Sequence, residues 1–211
     1  MLFTIKLLFL SKRFIMCKFS IDSKLKLGNT IVFIAGRVDQ LSKTKLLKLL
    51  YFMEEYMVKR FHTPFLALPY EVWQAGPVAK DVFIDLSDGP YILKDFVKTE
   101  VRDNGIYILP NTAFCDDEFS EVEIEMMEEV LHKYGNMTAS QLVTETHKQD
   151  TLWYNVAKKY DLLEPFAKHE CNNSDYRIDF SLALAPCVAE AYRESLAIKQ
   201  TATILKAEAN V

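Results

Sequence analysis

Apolar positions along the chain fall into blocks whose spacing is helical, then strand-like, then helical again. In residues 23 to 39, SKLKLGNTIVFIAGRVD, the residues Leu27, Ile31, Ile34 and Val38 recur three or four apart and define one helical face. The following stretch, QLSKTKLLKLLYFMEEYMVKRFHTP, carries the strongest helical signal. Leu46, Leu49, Leu50, Met53, Met57 and Phe61 form its apolar stripe, and Lys43, Lys48, Glu55 and Lys59 are expected on the other faces. Ser42 is placed to cap this helix, and Pro64 marks the stop after His62 and Thr63. FLALPYEVWQAG alternates poorly and contains Pro69, which predicts a short extended segment. Pro77 then stands where the first turn of a helix tolerates proline, giving an expected helix from Val78 to Leu86 that ends at Ser-Asp-Gly-Pro, 87 to 90.

The period changes to two in VKTEVRDNGIYIL, residues 97 to 109. Val97, Thr99 and Val101 alternate with Lys98, Glu100 and Arg102, and Asn104–Gly105 supplies the positive φ angles of a tight hairpin turn. Such a hairpin is marginal alone, so it must pack on helices or pair with the 65–73 segment. FSEVEIEMMEEVLHKYG returns to the helical period, with Ser120 and Glu123 as a capping box and Val122, Met126, Met127, Val130 and Tyr134 as its apolar side. MTASQLVTETHKQDTLWYNV predicts two short helices jointed near Asp150. A long Ala-rich helix from Pro186 to about Ala209, with Val188, Tyr192, Leu196 and Leu205, closes the chain. The fold class is therefore α+β and predominantly α-helical: one helical core with a small β-hairpin or antiparallel sheet.

Composition narrows the function. Half of the 211 residues are apolar, enough for a substantial core, and the net charge of −4 argues against direct nucleic-acid binding. Cys17, Cys115, Cys171 and Cys187 have no CxxC spacing, which suits a reducing cytoplasm better than a disulfide framework or a zinc ribbon. The opening MLFTIKLLFL is far shorter than the roughly 20 residues that span a bilayer. Its basic pair Lys12–Arg13 follows the apolar run rather than preceding it. Residues 1–15 are read as a leader or a mis-assigned start, with Met16 opening a more ordinary soluble N-terminus.

No GxGxxG, Walker lysine loop, GxSxG or HExxH is present, so no motif specifies an enzyme, a cofactor or a metal. His169 and Cys171 diverge if helical and lack partner ligands, and Asp116–Asp117–Glu118 suits a helix N-terminus better than a cation site. Val143 and His147 share a helix face with Trp153 just beyond the joint. That arrangement fits a groove flanked by His and Trp, or a histidine packed beside tryptophan with both ring nitrogens hydrogen-bonded. The packed reading is favoured because tryptophan is usually well buried. Glu121, Glu125, Glu128 and Glu129 line the polar side of their helix, ordinarily a solvated face.

Three stretches together resemble a known family. KTKLLKLLYFMEEYMVKRFHTPFL resembles the opening lysine-leucine helix of Panacea domains, with Lys45, Leu46, Lys48, Leu49, Leu50 and Tyr51 in its motif. YEVWQAGPVAKDVF resembles the next block through Glu71, Trp73, Gly76, Pro77, Val78 and Phe83. LVTETHKQDTLW resembles the third through Leu142, Thr146, His147 and Trp153. Val72 and Ala75 depart from the alanine and tyrosine common in the family. The resemblance places the domain at residues 20–185, with 186–211 as an added C-terminal helix.

What the resemblance implies is a bacterial, cytoplasmic, phage-associated protein of the SocA-like and GepA-like kind. Such a protein is a non-enzymatic antitoxin that binds a cognate toxin encoded nearby, in the SocA case as an adaptor to a ClpXP-type protease. Apart from any family rule, Trp73, His147, Trp153 and the four glutamates are candidate partner contacts on our own reading, with the glutamates expected to face a basic toxin. The rivals are a hydrolase-type enzyme with a pocket near His147 and Trp153, and a prophage interaction protein whose partner is not a toxin.

Overall fold

The computed structural model describes residues 21–103 and 105–208. Its centre is a single helix, α2 (Lys43–Phe61), in which every residue from Lys45 to Glu54 is buried. A helix enclosed on all sides is a core element rather than a surface one. Preceding it, α1 spans Ile21–Ala35, and the Ser42 side chain caps α2 by accepting from the Lys45 N–H. His62 ends the helix in the left-handed conformation, φ 59°, with its N–H on the Val58 carbonyl.

Two antiparallel hairpins flank α2. The first joins β1 (Tyr70–Trp73) to β2 (Gly76–Ala79), with Trp73 opposite Gly76 and Tyr70 opposite Ala79. The short helix α3 (Lys80–Asp85) follows directly. The second joins β3 (Val97–Arg102) to β4 (Gly105–Pro110), in the register expected from the alternation. Then come α4 (Glu121–Tyr134), α5 (Ala139–Thr146), α6 (Leu152–Lys159), α7 (Leu163–Ala167), a 3-10 turn (Phe180–Ala183) and α8 (Pro186–Glu208). Around α2 pack α3, α4, α5, β2, β4 and the 3-10 turn. A mainly helical α+β fold is thus present.

Several expectations need correction. Pro77 lies in β2 and not in the first turn of a helix, because Gly76 and Pro77 pair with β1 before the chain turns helical at Lys80. Of the two options expected for the β3–β4 hairpin, it packs on helices, here α1 and α2, and does not pair with the 65–73 segment. Its outer edge meets the α2 cap instead, through a Ser42–Tyr107 bridge and Ile108 N–H donating to Leu41 O at 2.9 Å. Lys48 is not on a solvent face but 1% exposed, whereas Phe61, Val122 and Leu205, expected on apolar faces, are exposed. Gly105 has φ 138°, while Asn104 lies outside the described residues, as do residues 1–20 and the final turn at Ala209.

Buried polar groups are matched to backbone. The Glu54 carboxylate accepts the N–H groups of Phe65, Leu66 and Ala67 at 2.8–3.3 Å, fixing the chain as it leaves α2. Asp85 accepts from Tyr91, Ile92 and Leu93 at 2.9–3.1 Å and closes the Ser-Asp-Gly-Pro loop. Between them Tyr51, Tyr70 and Phe180 form an aromatic trio with centroids 5.5–5.7 Å apart.

Gly28 shows how closely the elements approach: a Cβ built there would lie 2.4 Å from the Phe96 ring. Replacing a helix-interior glycine by alanine ordinarily gains about 1 kcal/mol, but overpacking costs about 1–3 kcal/mol. Gly28→Ala is therefore expected to lower the unfolding free energy in urea. In a Phe96→Ala background the same substitution should become neutral or stabilising, and a double-mutant cycle measures the difference.

Candidate functional site

The three stretches singled out in the sequence converge on the tip of the β1–β2 hairpin. A two-residue turn, Gln74–Ala75, joins Trp73 to Gly76, and Gly76 adopts φ +93°, a conformation that L side chains rarely reach. The position is crowded as well as left-handed. A Cβ on Gly76 would lie 2.6 Å from Thr146 Oγ1 and 2.9 Å from Lys48 Cε, so any larger residue would drive the hairpin away from α2 and α5.

Closing the chain this tightly turns main-chain carbonyls into the protein, and three side chains meet them. Trp153 Nε1 donates to Trp73 O at 2.9 Å, and Lys48 Nζ donates to Pro77 O at 2.7 Å. His147 Nε2 lies 2.9 Å from Gln74 O. One donor comes from α2, one from the end of α5 and one from α6. The α5–α6 joint holds the last two in place: the Thr151 side chain caps α6 and its hydroxyl also donates to Thr146 O at 2.7 Å, while Asp150 takes φ 67°.

His147 is held on both sides. Its Nδ1 lies 2.6 Å from Val143 O, one helical turn back, and 3.1 Å from Thr146 Oγ1, which itself donates to Val143 O. The ring sits 3.7 Å from that of Trp153, centroid to centroid. Burial lowers the His147 pKa, the two carbonyl contacts oppose that, and the charge on Lys48 lowers it further. Lys48 itself is brought down to about 7 by burial.

The other predicted residues divide between this hub and the surface. Trp73 is half-buried, edge-on to Phe83 at 5.0 Å, with its indole N–H on Glu71 at 3.0 Å; Glu71 in turn meets Lys80 at 3.4 Å. Lys45, Leu46, Leu49, Tyr51 and Val78 are core residues. Glu121, Glu125, Glu128 and Glu129 are all exposed on α4 and contribute nothing to the hub. Glu128 is engaged by Arg37 at 3.1 Å and Glu129 accepts from the Tyr56 hydroxyl, so that face is partly neutralised within the chain.

Two surface grooves, of about 580 and 220 Å³, are lined by other residues: the first by Ser42, Lys43, Tyr107, Ser140 and Val143 among others, the second by Glu54, Arg177, Asp179 and Tyr192 among others. Among the described residues no group of three or more His, Cys, Asp or Glu could hold a metal ion. Lys48 and Thr146 were legible as motif members but not as site residues. The buried role of Glu54 has no signal in the sequence, since Glu54–Glu55 reads like any charged helix turn.

A buried lysine without a carboxylate has a definite pH signature. Its folded-state pKa, about 7, lies below the unfolded value of 10.5, so the unfolded chain binds the extra proton between those limits and stability rises with pH across them. Urea unfolding between pH 7.5 and 9.5 is expected to show a stability gain approaching about 1.4 kcal/mol per pH unit relative to Lys48→Met, in which this contribution is absent. Equal slopes in the two proteins would contradict the assignment.

Comparison with known proteins follows the same geometry. The family model described as antitoxin SocA-like, Panacea domain, matches residues 46–154. This span contains Lys48, the whole β1–β2 hairpin, Thr146, His147 and Trp153. No curated protein and no solved structure matches the chain. The matched residues cover more than half of the chain and every donor and acceptor of the hub, and the protein belongs to the SocA-like, Panacea-domain antitoxin family.

Proposed function

We propose that this protein is an antitoxin that neutralises a basic toxin encoded beside it, by binding and without catalysis. Family membership supports a toxin as the partner. The observation that most favours binding over chemistry is the engagement of His147: both ring nitrogens lie against main-chain carbonyls, leaving none free to serve as a general base toward a substrate. Trp153 is 2% exposed and serves the hub, so it offers a partner nothing directly. Trp73 and His147 are hub residues with partly accessible surface.

The docking face we assign is the outer side of α4. Glu121 and Glu125 are exposed there, and Glu128 and Glu129 extend the acidic strip despite their internal contacts. Single-sign charge on one helix face accelerates association with an oppositely charged partner and makes the rate salt-dependent.

Co-expression with the neighbouring short reading frame is expected to rescue growth, and the two products should purify as a complex. Glu121→Lys with Glu125→Lys should slow association on the order of tenfold at low salt and flatten its salt dependence, while leaving the melting temperature nearly unchanged. His147→Gln combined with serine at all four cysteines should retain rescue. Rescue accompanied by falling toxin levels and dependence on an energy-dependent protease would identify the adaptor mode; rescue without any complex would overturn neutralisation by binding.

A further inference from the structure

Two basic nitrogens approach the same buried turn from different elements. Lys48 Nζ, on α2, meets Pro77 O; His147 Nε2, at the end of α5, meets Gln74 O. Gly76 stands between those two carbonyls and is close to both Lys48 and Thr146. We propose that this joint is a proton-operated latch: it tolerates one positive charge on the Lys48–His147 pair, and a second proton releases the hairpin tip from α5 and α6.

The charges around the pair give it no counter-ion. From the hairpin, Glu71 is taken by Trp73 Nε1 and Lys80. From α5, Glu145 is paired with Lys148 at 2.6 Å, and Asp150 at the joint is exposed. From α2, Lys45 has Asp39 as its charged neighbour. His169 reaches the tip only through the Gln74 side chain, at 2.7 Å. Among the described residues no carboxylate pairs with Lys48 or His147. A buried cation of this kind is tolerated when its hydrogen bonds are made, but two neighbouring ones repel with little solvent to screen them.

Hydrogen-bond chemistry sets what each proton does. An amine donates to one carbonyl whether neutral or charged, so Lys48 keeps Pro77 O in either state. A neutral imidazole has one N–H for the two carbonyls that His147 faces, and the imidazolium has two. The ring is therefore shaped to receive a proton that Lys48, when charged, opposes. The pair titrates as a unit. Its second protonation is depressed in the folded state, so the penalty is absent at alkaline pH and develops as pH falls below the ordinary histidine range. This leaves α2 and the aromatic trio intact and acts on the contacts made by His147 and Trp153.

Both tryptophans of the chain lie at this joint, and the indole of Trp153 bonds directly across it to Trp73 O, which makes the latch observable. Hydrogen exchange of the Trp153 indole N–H, followed by NMR on the full chain, should show protection falling by at least about tenfold between pH 8 and pH 5, after correction for intrinsic exchange. The amides of Leu49 and Leu50 should stay protected. His147→Gln supplies an N–H that does not titrate, and its indole should remain protected at pH 5. Lys48→Met should also remain protected, with the His147 ring titrating higher than in the wild type. Should Lys48→Met lose its fold by circular dichroism, His147→Gln alone decides the matter. Undiminished indole protection in the wild type at pH 5, or the same loss in His147→Gln, would overturn the latch. None of these readouts involves a toxin, so their failure is separate from failure of the proposed function.

Discussion

The packing of α2, α5 and α6 around the β1–β2 hairpin depends on the demand of one tight turn for hydrogen-bond donors. Trp73, Gln74 and Pro77 turn carbonyls toward the helices, that of Pro77 into a fully buried bond, and an unmatched buried carbonyl costs about 1–3 kcal/mol. Neighbouring backbone meets part of the need: the 172–178 segment runs along β1, with Val72 N–H donating to Tyr176 O and Ile178 N–H to Tyr70 O, both at 2.9 Å. The tip itself is matched by side chains from three helices. A lysine, a histidine and a tryptophan reach it from sequence positions up to about 80 residues away, so the turn conformation and the packing of α2, α5 and α6 are one constraint.

That constraint explains why a charged residue is found in the middle of the most buried helix. Lys48 has an aliphatic stem long enough to cross from α2 to β2, and a terminal donor that a leucine lacks. Its burial is unfavourable for the ammonium form, yet a neutral amine still donates to Pro77 O. Glu54 shows the opposite solution on the same helix. Its carboxylate is surrounded by backbone N–H groups and lies near Lys199 of α8, so burial raises its pKa while those groups work to lower it. One helix thus organises the turn after it and the hairpin beyond through two ionisable side chains of opposite sign.

Periodicity disclosed the elements well where one face is apolar and the other wet, as in α4 and the β3–β4 hairpin. It misplaced Pro77 because the four-residue strands of the first hairpin are too short to display alternation, and proline is equally at home at a strand edge and in a first helical turn. It misplaced Lys48 because a helix enclosed on all sides has no polar face, and a lysine in it then looks like a solvent contact. The packing of His147 beside Trp153 was legible from their spacing around the joint. That both answer to the carbonyls of Trp73 and Gln74 was not, since a main-chain acceptor leaves no mark on the identity of its residue.

The placement of the motif residues bears on how such a domain meets its partners. Lys48, Gly76, Pro77, Thr146, His147 and Trp153 spend their chemistry on one another and on backbone, and of the motif's aromatic residues Trp73 and His147 are only partly buried. Substitution at these positions by a residue that cannot replace the lost donor or fit the turn disturbs its packing. Substitution at Glu121 or Glu125 disturbs little within the chain, because neither is tied to the core by a hydrogen bond or ion pair of the kind that holds Glu54 or Asp85. A scaffold whose identity is held inside can change its outer faces without refolding. This is the physical condition under which one fold can present different surfaces to different partners.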